Sequence, residues 1–291
     1  MAAENEKSGW LLKWPAPAKL NLMLRIVGQR EDGYHLLQTV FQFVEWCDWL
    51  SFHPVSDGVV RLSSPTAGVP EQEDLIVRAA NLLKHATGCK QGVQISVEKN
   101  LPMGGGLGGG SSDAATTLVV LNKLWGTQLS RSALMALGLQ LGADVPVFVN
   151  GHAAWAEGVG ELLTDIDLPE HWIVILKPAC HVDTKEIFSA KGLTRNSKRI
   201  TMDEFVAGEQ INDCLATVRK LYQPIGNALD DLSLYADAKL TGTGACVFAE
   251  FSSKEQASLA YSTLSKKWQA CLTKAINRSS VYAEIEWLDK S

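Results

Sequence analysis

The feature that most constrains this chain is a glycine-rich segment at residues 104–110, in which six of the seven residues are glycine. Two hydroxyl side chains, Ser111 and Ser112, follow it, and an apolar run typical of a helix comes directly after them. Glycine has no Cβ, so such a backbone bends sharply and approaches a ligand closely. A helix that begins here presents unpaired N–H groups and its positive dipole end to the same ligand. The segment therefore predicts a cradle for phosphate groups and a nucleotide-using protein.

The spacing of this segment separates it from three well-known phosphate loops. A P-loop ends in Gly-Lys-Ser or Gly-Lys-Thr, and no lysine follows Gly110. The dinucleotide pattern G-x-G-x-x-G is matched within residues 104–109, but residues 121–134 contain no acidic residue to hold a ribose. A protein-kinase loop carries valine where Ser111 stands, and no H-R-D or D-F-G sequence follows. A flexible linker is disfavoured, because a strand-like run and an apolar helix flank the segment.

Composition narrows the class of protein. The chain has 291 residues and is 46% hydrophobic, which is enough for a substantial core in one or two domains. A net charge of −5 argues against nucleic acid or a membrane surface as a partner. The six cysteines show no C-x-x-C spacing, which indicates a reducing compartment. The charged start at residues 1–8 and the lack of a long apolar run predict no signal peptide, no membrane span and a cytoplasmic location. The oligomeric state is left open.

Apolar periodicity predicts a mixture of helices and strands. The predicted strands cover residues 10–27, 41–52, 93–97, 145–149, 152–157, 172–177, part of 240–251, and 281–287. The predicted helices cover residues 71–86, 114–124, 130–142 and 255–270, with further helical stretches within 187–223. A polar stretch with Gly158 and Gly160 interrupts the pattern between residues 157 and 172. We therefore expect one domain over residues 1–163 and a second over 164–291.

Four further segments, read together with the glycine-rich segment, form a set of sequence motifs. They are Pro15-Ala16-Pro17-Ala18-Lys19-Leu20-Asn21-Leu22, Gly28-Gln29-Arg30-Glu31-Asp32-Gly33-Tyr34-His35, Leu141-Gly142-Ala143-Asp144-Val145-Pro146-Val147-Phe148 and Leu240-Thr241-Gly242-Thr243-Gly244-Ala245. Together with the segment from Pro102 to Ala115, they resemble the GHMP kinases, the superfamily of galactokinase, homoserine kinase and mevalonate kinase. Gly33-Tyr34-His35 is typical of one branch, which phosphorylates the 2-hydroxyl of a cytidine diphosphate-linked methylerythritol for isoprenoid synthesis. The resemblance covers essentially the whole chain and is weakest over residues 191–221.

The resemblance implies an α+β fold of two domains, with an N-terminal nucleotide-binding domain and a ferredoxin-like C-terminal domain. It also implies an ATP-dependent kinase with an alcohol acceptor, using ATP with Mg²⁺. In that reading Asp144 accepts the proton of the attacking hydroxyl, and Lys19 holds Asp144 ionised or stabilises the transferring phosphoryl group. By residue type alone, Asp144 could equally cap the end of a helix. The Lys19 side chain could equally extend to solvent.

The substrate-binding residues implied by the resemblance are Asn21, Tyr34, His35, Phe41, Thr184 and Phe188. A tyrosine ring stacks on a cytosine face, and groups near His35 hydrogen-bond the edge of the base. Structural alternatives stay open for these residues. Tyr34 and Phe41 also fit a role in the core, and His35 fits a solvated turn. Asp183 and Thr184 also fit a helix cap.

The ATP-binding residues implied by the resemblance are Leu75, Lys99, Pro102, Met103, Gly104, Gly105, Gly106, Leu107, Gly108, Gly109, Gly110, Ser111 and Ser112. A second glycine turn is formed by Gly242, Thr243 and Gly244. Asp74 stands where the family often has asparagine, which puts the adenine contact there in doubt. The Mg²⁺ ligands are left open, because this ion prefers phosphate oxygens and water to a protein cage. The rival interpretations are a kinase for homoserine or mevalonate, and a nucleotide-binding regulator without catalysis.

Overall fold

The computed structural model describes residues 9–66 and 68–290. The prediction of no signal peptide concerns residues 1–8, which lie outside these ranges. Within the ranges that are described, no helix has both the length and the apolar character needed to cross a membrane.

The described residues form a ten-stranded sheet with helices packed against it. The strands are β1 (Lys13–Gln29), β2 (His35–Val55), β3 (Val60–Leu62), β4 (Gly92–Glu98), β5 (Ala154–Glu157), β6 (Leu162–Asp165), β7 (Trp172–Lys177), β8 (Ala238–Leu240), β9 (Val247–Phe251) and β10 (Gln269–Ile276). The helices are α1 (Leu75–Thr87), α2 (Gly109–Leu124), α3 (Arg131–Leu139), α4 (Val145–Asn150), α5 (Thr184–Ser189), α6 (Met202–Val206), α7 (Leu215–Leu221), α8 (Gln223–Ser233), α9 (Lys254–Leu264) and α10 (Ser280–Lys290).

The strand order is β3-β4-β2-β10-β7-β9-β8, with β1 paired to β2 and β5 paired to β2 and β6. The two long strands β1 and β2 run antiparallel from Lys13 opposite Ser51 to Gln29 opposite His35. Strand β10 pairs with β7 from Gln269 to Lys274 and with β2 at Ala275 and Ile276. The strands of the two halves of the chain are therefore joined through β10.

Separate apolar clusters stabilise the two halves. Helices α1 and α2 cover one cluster, which includes Phe52, Leu83 and Leu118. Helices α8 and α9 cover another, which includes Leu229 and Ala260. Helix α10, at the end of the chain, contributes Val281 and Leu288 to the first cluster rather than to the second. The domain boundary that we place after residue 163 falls within β6 and stays a prediction.

Two predicted strands are wrong. Residues 145–149 lie in α4, which has Pro146 in its first turn and is capped after Asn150 by Gly151 with φ of 73°. A short apolar run of this kind cannot be told from a buried strand by periodicity. Residues 281–287 lie in α10, whose apolar positions Val281, Ile285 and Leu288 follow helical spacing.

One predicted helix is too long. The helix predicted over residues 255–270 ends at Leu264, and the unpredicted strand β10 begins at Gln269. Residues 265–268 contain neither glycine nor proline, the usual local signals of a break. The pairing of β10 with both β2 and β7 decides its conformation.

Candidate active site

A cavity of about 1040 Å³ lies where β1 and β2 meet the glycine-rich segment and the turn at residues 242–244. Many residues of the predicted site line it: Lys19, Asn21, Tyr34, His35, Phe41, Gly104, Gly106, Ser111, Asp144, Thr184, Phe188, Gly242, Thr243 and Gly244. The structure thus brings residues from all five motif segments to one place, together with Phe41, Thr184 and Phe188.

Lys19 occupies the centre of this arrangement. It lies on β1 where the register against β2 shifts between Pro17 and Lys19, and such irregularities redirect side chains. The side chain is 3% exposed, and its Nζ lies 2.6 Å from Asn21 Oδ1, 3.0 Å from the Gly106 carbonyl and 3.4 Å from Asp144 Oδ2. The buried ammonium therefore contacts β1, the glycine-rich segment and the start of α4, and does not reach solvent as the alternative interpretation allowed.

Asp144 stands at the position before the first residue of α4, yet its side chain makes no capping hydrogen bond. Its carboxylate is 39% exposed and faces the Lys19 ammonium. A carboxylate that caps a helix would be occupied by backbone N–H groups. Asp144 is instead free to accept a hydrogen bond from a molecule in the cavity.

Asn21 supports Lys19 from within the protein. Its Nδ2 donates to Thr39 Oγ1 at 2.9 Å, while its Oδ1 accepts from Lys19. The backbone N–H of Asn21 donates to Thr241 Oγ1 at 3.0 Å. Both ends of the side-chain amide are thus engaged, and no motif in the sequence marks Thr39 as part of the site.

The glycine-rich segment needs glycine for steric reasons at Gly106. Its φ is +75°, and a Cβ there would lie 2.4 Å from the Thr241 carbonyl oxygen. The carbonyls of residues 104–106 accept hydrogen bonds from Ala245 N, Cys246 N and Thr241 Oγ1 at 3.2, 3.0 and 3.2 Å. The segment and the second glycine turn therefore pack as one unit.

The two serines that follow the segment lie in different environments. Ser111 lines the cavity. Ser112 is fully buried, and its hydroxyl donates to the Pro17 carbonyl at 2.7 Å, which ties the start of α2 to β1. The ATP-site residues that do not line this cavity are Leu75, Lys99, Pro102, Met103, Gly105, Leu107, Gly108, Gly109, Gly110 and Ser112.

Lys99, predicted near adenine and ribose, directs its ammonium to two carboxylates. It forms ion pairs with Asp48 and, at 2.7 Å, with Asp113 in the first part of α2. Asp48 is fully buried and accepts the backbone N–H groups of Asn100 and Leu101. Burial raises the pKa of the Asp113 carboxyl to about 7, although Lys99 acts in the opposite direction. The cluster fixes the base of the glycine-rich segment, and the sequence pattern did not predict its two carboxylates.

Aromatic rings form the far end of the cavity. The rings of His35 and Phe188 stack with centroids 5.0 Å apart at an angle of 30°. Tyr34 is 63% exposed beside them. Phe41 is buried and lies under the Lys19 ammonium, 5.4 Å from Nζ to the ring centroid. The structure thus places Phe41 against the lysine and in the wall of the cavity, and its predicted contact with the substrate stays a prediction.

Polar groups complete this end of the cavity. Thr184 and Thr243 join their hydroxyls at 3.0 Å, which links α5 to the second glycine turn. Lys185 and Arg195 also line the cavity. Neither belongs to a motif, and Arg195 falls in the stretch where the resemblance is weakest, so no sequence signal pointed to it.

Comparison with known proteins defines the class. The profile of the GHMP kinases N terminal domain matches residues 74–152, and that of the GHMP kinases C terminal matches residues 195–270. A crystal structure of mevalonate kinase superimposes with a TM-score of 0.68 at 14% identity, covering 92% of this chain and 100% of that one. That similarity concerns the fold alone. The predicted α+β fold with its two GHMP kinase domains is confirmed.

More similar proteins define the branch. The 4-diphosphocytidyl-2-C-methyl-D-erythritol kinase of Nitrosococcus oceani is 56% identical over 269 residues, covering 92% of this chain and 96% of the relative. That of Methylococcus capsulatus is 56% identical over 272 residues, covering 93% and 94%. A crystal structure of 4-(cytidine 5'-diphospho)-2C-methyl-D-erythritol kinase superimposes with a TM-score of 0.80 at 31% identity, covering 91% and 99%. The chain therefore belongs to the 4-diphosphocytidyl-2-C-methyl-D-erythritol kinase family of the GHMP kinases.

Proposed function

We propose that this protein transfers the γ-phosphoryl group of ATP to the 2-hydroxyl of 4-diphosphocytidyl-2-C-methyl-D-erythritol, in the non-mevalonate route to isoprenoid precursors. The observation that carries the proposal is the 3.4 Å pair of Lys19 and Asp144 in one cavity with the stacked rings of His35 and Phe188. The pair of Lys19 and Asp144 suits phosphoryl transfer, and the pair of His35 and Phe188 suits binding of a nucleobase. The relatives named above carry the same activity in their names.

The chemistry asks the protein mainly for positioning and charge compensation, because the transition state of phosphoryl transfer is loose. Asp144 orients the acceptor hydroxyl and accepts its proton. Lys19 pairs with that carboxylate and, through its contact with the Gly106 carbonyl, holds it beside the phosphate-binding segment. Its buried ammonium also compensates the negative charge that develops on the transferring group.

ATP is assigned to the glycine-rich segment and to the N-terminus of α2, whose first residue is Gly109. The backbone N–H groups there and the helix dipole favour phosphate. Mg²⁺ would accompany the nucleotide. Among the described residues no group of three or more His, Cys, Asp or Glu side chains is placed to hold a metal ion. The phosphates and water, which Mg²⁺ prefers as ligands, would therefore supply most of its coordination.

The cytidine moiety is assigned to the opposite end of the cavity. Tyr34 supplies an exposed ring for stacking, and the stacked pair of His35 and Phe188 supplies a second aromatic surface. Thr184 lines the cavity and contacts the second glycine turn, and its hydroxyl is assigned to the ribose or the diphosphate. A cytoplasmic location is part of the proposal, and it is supported by six cysteines that are all free.

The decisive experiment follows ADP release by the purified protein with Mg²⁺ and ATP. Parallel reactions contain 4-diphosphocytidyl-2-C-methyl-D-erythritol, mevalonate or homoserine. Turnover confined to the cytidyl substrate is the expected result. Turnover with mevalonate or homoserine instead would contradict the cytidine assignment and keep the kinase. ATP binding without turnover on any of the three would favour a nucleotide-binding regulator.

A further inference from the structure

Arg195 connects the two aromatic residues of the cytidine end. Its Nε–H donates to His35 Nε2 at 3.2 Å. Its Nη2 donates to the carbonyls of Phe188 and Ala190 at 2.8 and 2.9 Å, and its Nη1 to the carbonyl of Leu193 at 3.3 Å. In the part of the chain that the structure describes, none of the Arg195 partners is a carboxylate.

The contact with His35 determines the form of the imidazole. A ring nitrogen that accepts a hydrogen bond from a guanidinium carries no hydrogen, so the ring is neutral and its hydrogen is on Nδ1. Arginine does not lose its proton in proteins, so the donor and acceptor cannot exchange roles. Within residues 9–66 and 68–290, Nδ1 of His35 has no hydrogen-bond partner. Its N–H group is therefore available to a molecule in the cavity.

The contacts with the carbonyls hold Phe188. They join the end of α5 to residues 190–193, which continue the chain without regular secondary structure. A cation at the carbonyl end of a helix is also favoured by the helix dipole. One guanidinium thus fixes the ring that stacks on His35 and the tautomer of His35 itself.

We propose that Arg195 is a positioning residue that sets the affinity for the cytidyl substrate by holding His35 as a neutral Nδ1–H donor stacked on Phe188. This inference rests on the proposed function. It adds to the site a residue that belongs to no sequence motif. Binding of the cytidyl substrate then depends on the Arg195 guanidinium, even though that group need not touch the substrate.

The proposal predicts a defined response to acid. The charged groups that line the cavity with His35 are Asp32, Lys185 and Arg195, together with Lys19 and Asp144. Burial and then the charge of Arg195 lower the pKa of His35 from its ordinary value of 6.5. Once His35 is protonated, Nε2 carries a hydrogen and can no longer accept from Arg195. The hold on the ring is therefore present at pH 6.5 and above, and it is lost as the pH falls through the lowered pKa of His35.

The direct test is ¹⁵N NMR of the histidine-labelled full chain, with the His35 signal assigned through His35→Gln. The wild type should show a neutral ring protonated at Nδ1. Arg195→Gln should show a mixture of tautomers and a His35 pKa that moves up towards 6.5. Arg199→Gln is the matched control, because Arg199 lies four residues on and pairs with Glu157 at the surface. The same tautomer and pKa in the wild type and Arg195→Gln would overturn the proposal.

The kinetic test separates positioning from general damage. Removal of hydrogen bonds to a charged group corresponds to roughly a 10- to 100-fold rise in the KM for the cytidyl substrate in Arg195→Gln. The kcat and the KM for ATP should stay within about threefold, and Arg199→Gln should behave as the wild type. The KM values of Arg195→Gln and of the wild type should converge as the pH falls below 6.5. An equal rise in both KM values, or none, contradicts the proposal.

The experiments also distinguish misfolding of the variant, and failure of the proposed function, from failure of the Arg195 proposal. If Arg195→Gln fails to fold by circular dichroism, Arg195→Lys retains the charge but cannot make all four contacts, and the same rise in KM is expected of it. If the wild type does not turn over the cytidyl substrate, the proposed function fails. The NMR comparison still decides whether Arg195 sets the state of His35, because it needs no substrate.

Discussion

At the scale of single residues, the site depends on one buried cation with several partners. The ammonium of Lys19 is 3% exposed and is balanced by the half-exposed carboxylate of Asp144 together with neutral oxygens. Burying an unpaired charge is costly, and the carboxylate and these hydrogen bonds offset the cost of burying the ammonium. The pair therefore balances a buried charge at the place to which the proposed function assigns the chemistry.

Asp144→Asn should lower kcat by roughly 10²- to 10⁴-fold, because the amide keeps the shape but cannot accept a proton. Lys19 retains Asn21 and the Gly106 carbonyl, so the nucleotide segment should keep its geometry and ATP should still bind. The measurements are steady-state kinetics and ATP titration by calorimetry. Asp167→Asn is the control, since that carboxylate is 87% exposed and lies outside the cavity. Undiminished turnover would remove Asp144 from the mechanism.

Asp113 gives a prediction about stability. Its carboxyl has a pKa of about 7 in the folded protein against 3.8 in the unfolded chain. Between these values the folded state binds a proton that the unfolded state releases. The free energy of unfolding should therefore fall as the pH rises from about 4 to about 7, by at most about 1.4 kcal/mol per pH unit.

Asp113→Asn should remove this dependence, because asparagine does not titrate. The difference in Tm between the variant and the wild type should grow in favour of the variant from pH 5 to pH 7.5. Asp57→Asn is the control: hydrogen bonds from Val59 and Arg61 lower the pKa of Asp57, which is ionised in both states over this range. A Tm difference for Asp113→Asn that stays constant with pH would show that the carboxyl is already ionised at pH 5.

The sequence predicts Lys19 and Asp144 as catalytic candidates because their neighbours form recognisable motifs, and the structure brings the two side chains together. Motifs do not predict the roles of Arg195, Asp48 and Thr39. Each acts through long-range contacts, such as the bond from Arg195 to His35, which joins residues 160 positions apart. A single sequence carries no local signal for such pairs.

At the scale of elements, the glycine-rich segment and the second glycine turn are sterically matched. Gly106→Ala places a Cβ 2.4 Å from the Thr241 carbonyl oxygen and forces a left-handed backbone on alanine. Both effects push the segment away from the turn, so kcat/KM for ATP should fall by about tenfold or more, given a backbone cost of about 1–2 kcal/mol before the clash is counted. Gly192→Ala is the control, because a Cβ there meets nothing within 4 Å. Equal kinetics for the two variants would show that the match has no role.

Local sequence patterns predict some helices and strands of this fold and miss others. Asp74 and Ser130 cap α1 and α3 with their side chains, and both helices were predicted near their observed starts. Helix α4 and strand β10 were missed, because the first is a short buried apolar run and the second follows α9 without a breaker. Tertiary packing, rather than propensity, decides both.

At the scale of the whole molecule, the end of the chain returns to its beginning. Strand β10 pairs with β2, and α10 then packs Val281 and Leu288 into the cluster covered by α1 and α2. Leu288 also lies close to Leu124 of α2 beside Gly9. The two halves therefore share backbone pairing and apolar contacts. We infer that they unfold together, and that the cavity depends on this connection.

Leu288→Ala tests that inference. Leu288 is 2% exposed, so its truncation should lower the free energy of unfolding by about 2–5 kcal/mol. Leu259→Ala, at a leucine that is 64% exposed, should change it by no more than about 0.5 kcal/mol. Hydrogen exchange followed by mass spectrometry should show amides of β4 in the first half and β9 in the second losing protection together, since one cooperative unit opens as a whole. Loss confined to β4 would mean that the halves unfold independently, and that β10 transmits little stability between them.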